Sequence, residues 1–378
     1  MAGTIGFDCA ELPPAAALEA EWRALEAVAR PSFFTSWVWL GTWLAALPAA
    51  RRPLLLRGRV GGDTVALAFV GRAVTRRRHG LVRSRSLHLN ETGDPHYDVM
   101  TVEHNGVLAR PDAEPALLEA LLGWFAMQRG AGEFHFGGAL RRLPASALAR
   151  HRLLCRAIAV PSYSVALGRL ADSDGLLDPV LSANARQQLR RALRRFEAQG
   201  ALSLREAASE AEAQDWFTGL KALHCASWAR RGIAHSFSRP FFEPFHRRLI
   251  ARGFAEGAIQ LIETRAGEEV IGYLYNFRHA GRVYAYQSGF ADADPRERPG
   301  AVSHALAIRH ACRAGLQVYD FMAGHNRLKA SFATDCEPML WQVVQQPRLA
   351  FRLEHLARRV KARIDASKKA LAGGTGTR

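Results

Sequence analysis

Long hydrophobic runs are missing from this chain of 378 residues. The longest near the N-terminus, residues 37–50, is interrupted by Gly41, Thr42 and Pro48, whereas a membrane-spanning helix needs about 20 consecutive apolar residues. No secretion signal is expected either. Cysteine is scarce: Cys9, Cys155, Cys225, Cys312 and Cys336 are odd in number and scattered, with no Cys-x-x-Cys pair and no Cys/His cluster. That pattern argues against a disulfide framework and a structural metal, so reduced thiols, a cytoplasmic location and no metal are expected. Acidic residues are also short, 35 against 51 Lys and Arg, for a net charge of +16. The imbalance favours anionic partners, and phosphate-bearing ligands, RNA and acidic membranes all satisfy it.

What is present is ordinary for a soluble enzyme: 48% apolar and 23% charged residues, a balance that supports packed cores rather than disorder. The length suits two domains. Residues 15–50 read as two helices separated by Arg30-Pro31-Ser32, followed by strand-like runs at 53–60, 64–74, 81–89 and 97–102, a helix at 114–129 and a strand at 133–136. After a bridging stretch the same theme returns: helices at 179–198, 210–230 and 240–253, strands at 258–264, 269–278 and 282–290, a helix at 300–314 and a strand at 317–322. The repetition predicts an α/β (α+β) chain with domains at 1–165 and 166–347, each a mixed, mostly antiparallel sheet flanked by helices, and a basic terminal helix and tail at 348–378. In that last segment Leu349, Leu353, Leu356, Val360 and Ile364 recur at helical spacing, which suits either packing on the body or contact with an anionic membrane surface.

The most informative stretch is 270–332. Two alternating runs, 270–277 and 282–290, meet across Ala280-Gly281 as a hairpin. A loop then ends in Pro299-Gly300, a helical pattern runs to Gly315, and the strand Val318-Tyr319-Asp320-Phe321-Met322 follows. A helix that starts beside a strand end presents unpaired amides and a positive dipole end, which together bind anions. Arg296 and Arg298 precede Pro299 and Gly300, so guanidiniums and amides would hold a diphosphate or an acyl carbonyl there; a plain helix start with solvated arginines is the alternative. Upstream, Arg186, Arg190 and Arg194 share one helix face beside Leu189, Leu193 and Phe196. They could border a cleft and hold a phosphorylated ligand, or form a solvated basic face.

The order strand, strand, loop, Pro-Gly helix, strand resembles the ligand-binding portion of the GNAT acyltransferase fold. Gly289-Phe290, Pro299-Gly300, Gly315, the run from Tyr319 to Gly324 and Lys329 are similar to the bacterial cellulose-biosynthesis-associated acetyltransferase group, a relative of the Fem-type peptidyltransferases. Residues 181–200 and 223–237 extend the resemblance to roughly 175–335. It implies tandem GNAT-like domains, the first degenerate in cofactor binding, and acyl transfer from acetyl-CoA or another acyl-CoA to an amine or hydroxyl on a small-molecule or glycan-precursor acceptor in envelope or exopolysaccharide synthesis. Ordinary GNAT enzymes carry an Arg/Gln-x-x-Gly-x-Gly/Ala loop, whereas Glu297 and Val302 stand at two of those positions here. Two alternatives therefore remain: Fem-type transfer from aminoacyl-tRNA, and a non-catalytic module for anionic polysaccharide intermediates.

The resemblance further implies that Lys329 contacts phosphate or acceptor, that Asp320 orients a neighbour or the acceptor amine, and that Trp228 and Arg231 belong to the acceptor-binding helix and loop. Acyl transfer to an amine needs a proton acceptor and a donor. Tyr284, Tyr286, His304 and His325 are placed for this. His304, on the first turn of the Pro-Gly helix, would be kept neutral by the dipole. His224 next to Cys225 cannot form a nucleophile-base pair along a helix, and no Ser-His-Asp order is evident.

Overall fold

The computed structural model describes residues 4–77, 80, 82–100, 102–170, 177, 180–230, 232, 234–291, 297–358 and 360. Arg231, Arg296 and Ile364 lie outside the described residues.

The first half opens with strand β1 (Gly6–Ala10) and helices α1 (Ala15–Glu26) and α2 (Trp37–Ala46). Ser36 caps α2, its side chain accepting from the Trp39 amide, a role for which its short side chain is suited. Strands β2 (Leu54–Val60), β3 (Asp63–Arg77), β4 (Val82–Leu89) and the short β5 (Leu108–Ala109) follow, then α3 (Glu114–Met127), β6 (Glu133–Ala139) and α4 (Ala145–Arg150). Strand β7 (Leu154–Ala166) leads into the second half: α5 (Ala183–Glu197), β8 (Leu202–Glu206), α6 (Glu210–Ala229), α7 (Phe242–Gly253), β9 (Ile259–Ala266), β10 (Glu269–His279), β11 (Arg282–Phe290), α8 (Pro299–Arg313), β12 (Val318–Ala323), α9 (Arg327–Phe332) and β13 (Asp335–Gln345).

The thirteen strands of the described residues form one sheet, whose main path is β1-β2-β3-β4-β6-β13-β7-β12-β11-β10-β9-β8. Read from either edge inward the two halves correspond: a four-stranded antiparallel meander, then a parallel pairing, β4 with β6 and β11 with β12. At the centre the halves exchange strands. β7, made with the first half, lies antiparallel beside β12, and β13, made with the second, lies antiparallel beside β6. β7 and β13 then pair with each other along the whole of β13, Leu154 opposite Gln345 through to Ser164 opposite Asp335. The repeated α/β organisation expected from the sequence is thus present, with the last strand of each repeat traded.

Helices cover both faces. Trp22, Phe34, Trp39 and Phe69 of the first half share one buried core with Phe217, Phe245, Tyr275 and Phe277 of the second, and α2 packs against α7. Aromatic rings in such numbers bury large apolar areas and fix the halves together. A second core lies between α8 and the inner strands of the second half, with Leu189, Val283, Ala305, Ile308, Tyr319 and Phe321. A third lies under α3, with Val70, Leu121, Trp124, Phe125 and Phe134.

Two expectations are corrected here. Residues 97–100 are turns and irregular backbone, not a strand, because the Asp98 carboxylate accepts from the Thr92 and Gly93 amides at 2.8 and 2.7 Å and folds the chain back on itself. In the helical stretch 349–358 the seat on the body is made by buried Phe351 and Glu354, while Leu349, Leu353 and Leu356, with Val360, are exposed. No helix among the described residues is long and apolar enough to cross a membrane.

Candidate active site

Strands β11 and β12 pair only from Arg282–Val318 to Tyr284–Asp320, after which they part. Beyond that point Gln287, Ser288, Gly289 and Phe290 of β11 line a cavity of about 760 Å³, within the size range of small-molecule sites. The first turn of α8 opens into it. Arg298 is the N-terminal flanking residue, in the left-handed region at φ 55° and ψ 56°, a conformation that costs a side-chain-bearing residue energy. Pro299 fixes the first helical position without wasting an amide. Arg298 and Gly300 both belong to the cavity wall, and the Arg298 guanidinium reaches Gln188 Oε1 on α5 at 2.5 Å. Arg298, Pro299 and Gly300 therefore stand together where the sequence places them.

The opposite wall is α5, but through Asn184, Ala185, Gln188 and Leu189. Arg186 and Arg190 are not among the described residues that line it. The Arg186 guanidinium instead donates to the Leu181 carbonyl at 3.2 Å. The departure at Glu297 adds no carboxylate to the cavity wall among the described residues, since that side chain is turned to Gln199, whose Nε2 donates to it at 3.2 Å.

Asp320 and Lys329 are brought together, though behind the cavity at the end of β12. Asp320 is buried, 2.7 Å from the Arg282 guanidinium and 3.0 Å from His104 Nε2, and its other oxygen accepts from the Met322 amide at 2.7 Å. Burial pushes its pKa up, but His104, Arg282 and that amide outweigh it and hold the carboxylate below its ordinary range. Lys329 Nζ donates to the carbonyls of Ala323 and Met322 at 3.0 and 3.3 Å. Burial lowers its pKa, opposed by Glu103 and Asp320. Glu103 comes from the first half and accepts from the Ala323 amide at 2.7 Å. These groups lock the strand end and the two halves together. Neither lines the large cavity; Asp320 borders a separate, smaller one of about 210 Å³ with His104 and Arg282.

His304 is likewise inside the protein. Its Nδ1 is 2.9 Å from the Tyr319 hydroxyl, its ring is packed against Phe290 and Phe321, and burial, with the charge of Lys329, pushes its pKa down to about 3. It is neutral as expected, by burial first, and is outside the cavity wall. Tyr286 donates its hydroxyl to the Met100 carbonyl and packs in the shared core among Phe34, Trp39 and Phe277, which removes it from the candidate proton carriers. Burial raises its pKa well above the usual phenol range.

Trp228 does line the cavity and also a second one of about 410 Å³, bounded by Pro95, Asp98 and Val99 of the first half and by His235 and Arg239. The two cavities share His224, Trp228 and Gln287 as a common wall. His224 was passed over in the sequence because only its relation to Cys225 was weighed. On α6 it is turned to β11, with Nδ1 3.0 Å from the Ser288 carbonyl. That contact requires the proton on Nδ1 and leaves Nε2 as the basic nitrogen. A histidine one helical turn before Trp228 was the available signal.

Residues 183–330 match the family model of the acetyltransferase (GNAT) domain. Over that segment the second half is similar to GNAT domains. Three solved structures share the fold over nearly the whole chain. One is the C-terminal domain of a protein assigned as a lysylphosphatidylglycerol synthetase from Agrobacterium fabrum, at 14% identity and TM-score 0.55, covering 93% of this chain and 96% of that one. FemX follows at 9% identity and TM-score 0.55, covering 89% and 96%, and L-PGS from Bacillus licheniformis at 12% and 0.54, covering 94% and 98%. At these identities the likeness is one of fold. No curated protein matches the chain. The matched segment contains the parted strands, the first turn of α8 and His224, and most of the residues that line the cavity. The corresponding helix of the first half starts differently: α3 begins Glu114-Pro115, with Glu114 paired to Arg141 at 2.8 Å, and an acid at a helix start disfavours anionic ligands.

Proposed function

We propose that the GNAT domain transfers an acyl group from a thioester donor, an acyl-CoA, to an amine or hydroxyl acceptor. The observation that carries this reading is the first turn of α8 opening, with the cation of Arg298, into the 760 Å³ cavity beside the parted end of β11. Helix amides and guanidinium suit a diphosphate, and Arg327 adds a second cation to the wall. The donor lies with its diphosphate at α8 and its acyl group toward the wall shared with the smaller cavity, through which a small-molecule or glycan-precursor acceptor enters. His224 Nε2 takes the proton as the acceptor nitrogen or oxygen bonds to the acyl carbon. The carbon–sulfur bond breaks, and the thiolate leaves and recovers a proton. Asp320, Lys329 and Glu103 act as positioning residues that hold the end of β12.

Aminoacyl-tRNA is the competing donor. The absence of the usual pyrophosphate loop at Glu297 and the net charge of +16 favour it, and FemX is among the similar folds. Titration with acetyl-CoA, longer acyl-CoAs and aminoacyl-tRNA in parallel separates the two. Acyl-CoA should bind, and Arg298→Gly should weaken it about tenfold or more by removing a charged hydrogen bond. The melting temperature should be unchanged or higher, because glycine tolerates the left-handed backbone. Unaltered acyl-CoA affinity in Arg298→Gly, or binding of aminoacyl-tRNA alone, would overturn the acyl-CoA reading.

A further inference from the structure

The first half carries a further cavity, of about 670 Å³, apart from the donor site. Four strands separate β4, on its floor, from β11. Its apolar wall is Leu54, Val70, Val74, Leu87 and Trp124, with Gln128, Gly130 and Ala131, which follow α3, also lining it. Arg51, Arg72 and Arg85 stand in the same wall with no carboxylate among them. Cys9, also in the wall, has its pKa raised to about 11 by burial and is a neutral thiol at physiological pH. The charge of this wall is therefore wholly positive.

Its arginines differ in what already engages them. Arg51 is paired with Asp94 at 3.0 Å, and Arg72 is 3.8 Å from Glu11, both side chains being largely exposed. Arg85 makes no side-chain hydrogen bond or ion pair among the described residues and is exposed. Register sets it directly opposite Val74 on β3, so the two side chains share one face of the sheet. A guanidinium without a partner beside a half-exposed valine and a buried tryptophan is an arrangement for a ligand that is anionic at one end and hydrocarbon at the other. A purely polar anion gains nothing from Trp124 and Val74, and a neutral hydrocarbon gains nothing from Arg85.

We infer that this groove between α3 and strands β1–β4 binds a single-chain amphipathic anion, hydrocarbon chain against Val70, Val74, Leu87 and Trp124 and anionic head on Arg85. The shared chemistry is that of a free fatty acid and of a lysophospholipid, so both are used as probes. The site does not depend on the acyl-transfer reading, and its test requires no turnover.

Laurate and lysophosphatidylglycerol, each below its micellar concentration, are titrated into the full-length protein by calorimetry, with dodecanol and dodecylammonium as controls. Saturable one-to-one binding of at least one anion is expected, with both controls weaker by tenfold or more. Laurate alone points to a fatty acid as the natural source, the lysolipid alone to a membrane lipid. Arg85→Glu and Val74→Glu should each weaken the bound probe by about tenfold or more. Both positions are exposed, so folding is retained, and circular dichroism confirms it. Arg83→Glu changes net charge by the same amount on the same strand but outside the groove, and should leave affinity within about twofold. Equal losses from Arg83→Glu and Arg85→Glu, tight binding of dodecanol, or no saturable binding of either anion would each overturn the inference.

Discussion

Lys329, expected beside a ligand from the sequence, is already engaged by the protein itself. Its ammonium is bonded to two main-chain carbonyls at the end of β12 and faces the charges of Glu103 and Asp320. Lys329→Met keeps the stem and removes the charge, leaving those carbonyls and Glu103 without their cation, so melting temperature should fall by several degrees. Turnover would drop only as the strand end shifts. Thermal melts and kinetics on the same preparation decide this: a lysine in contact with ligand would instead lower turnover more than tenfold with no change in melting. Gly300 is equally instructive. A Cβ there would meet the Phe290 ring at 3.0 Å, so Gly300→Val disturbs packing under α8 as well as ligand approach, and Arg298→Gly is the cleaner probe. The helix start, Arg298, Gly300 and Trp228 were legible in sequence because they follow from local order and spacing. His224, Glu103 and His104 were not, because what they do depends on β11 and β12, far away in the chain, which no periodicity reports.

Among the elements, β2–β4 and β9–β11 of the meanders were readable from alternation, while the edge strands β1 and β8 were missed. β7 and β13 at the centre were missed too. Each carries a proline, which reads as a break in a strand, yet Pro161 and Pro338 stand opposite each other in the ladder, so both missing amide hydrogens fall on one rung. The helix at 300–314 and the strand at 317–322 were predicted within a residue or two of α8 and β12 because their ends carry Pro-Gly and Gly315. Register also places ionisable groups. Glu133 on β6 is fully buried and receives two bonds from the Arg77 guanidinium on β3, at 2.7 and 2.8 Å, with further bonds from Thr75 and Gln345. Burial raises its pKa, but these partners outweigh that and bring it down to about 2 from 4.5. A carboxylate depressed in the folded state contributes stability that is complete above about pH 4.5 and is lost as pH falls toward 2. Wild-type melting temperature should therefore drop steeply between pH 5 and pH 3. Glu133→Gln, destabilised by about 3 kcal/mol or more at pH 7 because Arg77 loses its buried partner, should show a shallower fall over that interval. Parallel slopes would mean that the pair contributes no pH-linked stability.

For the whole molecule the exchanged strands matter most. Fragments 1–166 and 167–378 correspond to the sequence repeat, but each holds a strand that belongs beside the other's inner strands. Produced singly, each should be insoluble or unfolded; produced together they should form a one-to-one complex with the circular dichroism of the intact chain. A soluble, folded 167–378 fragment would show that β13 can replace β7 beside β12. The exchange also imposes a schedule on synthesis. When β6 leaves the ribosome, the strand that will close its free edge lies some two hundred residues downstream, a delay on the order of ten seconds or more at ordinary elongation rates. Meanwhile β7 is the nearest unpaired segment. Pairing of β7 with β6 would be a premature hairpin that must open before β12 and β13 can enter, so translation speed across the second half becomes a determinant of yield.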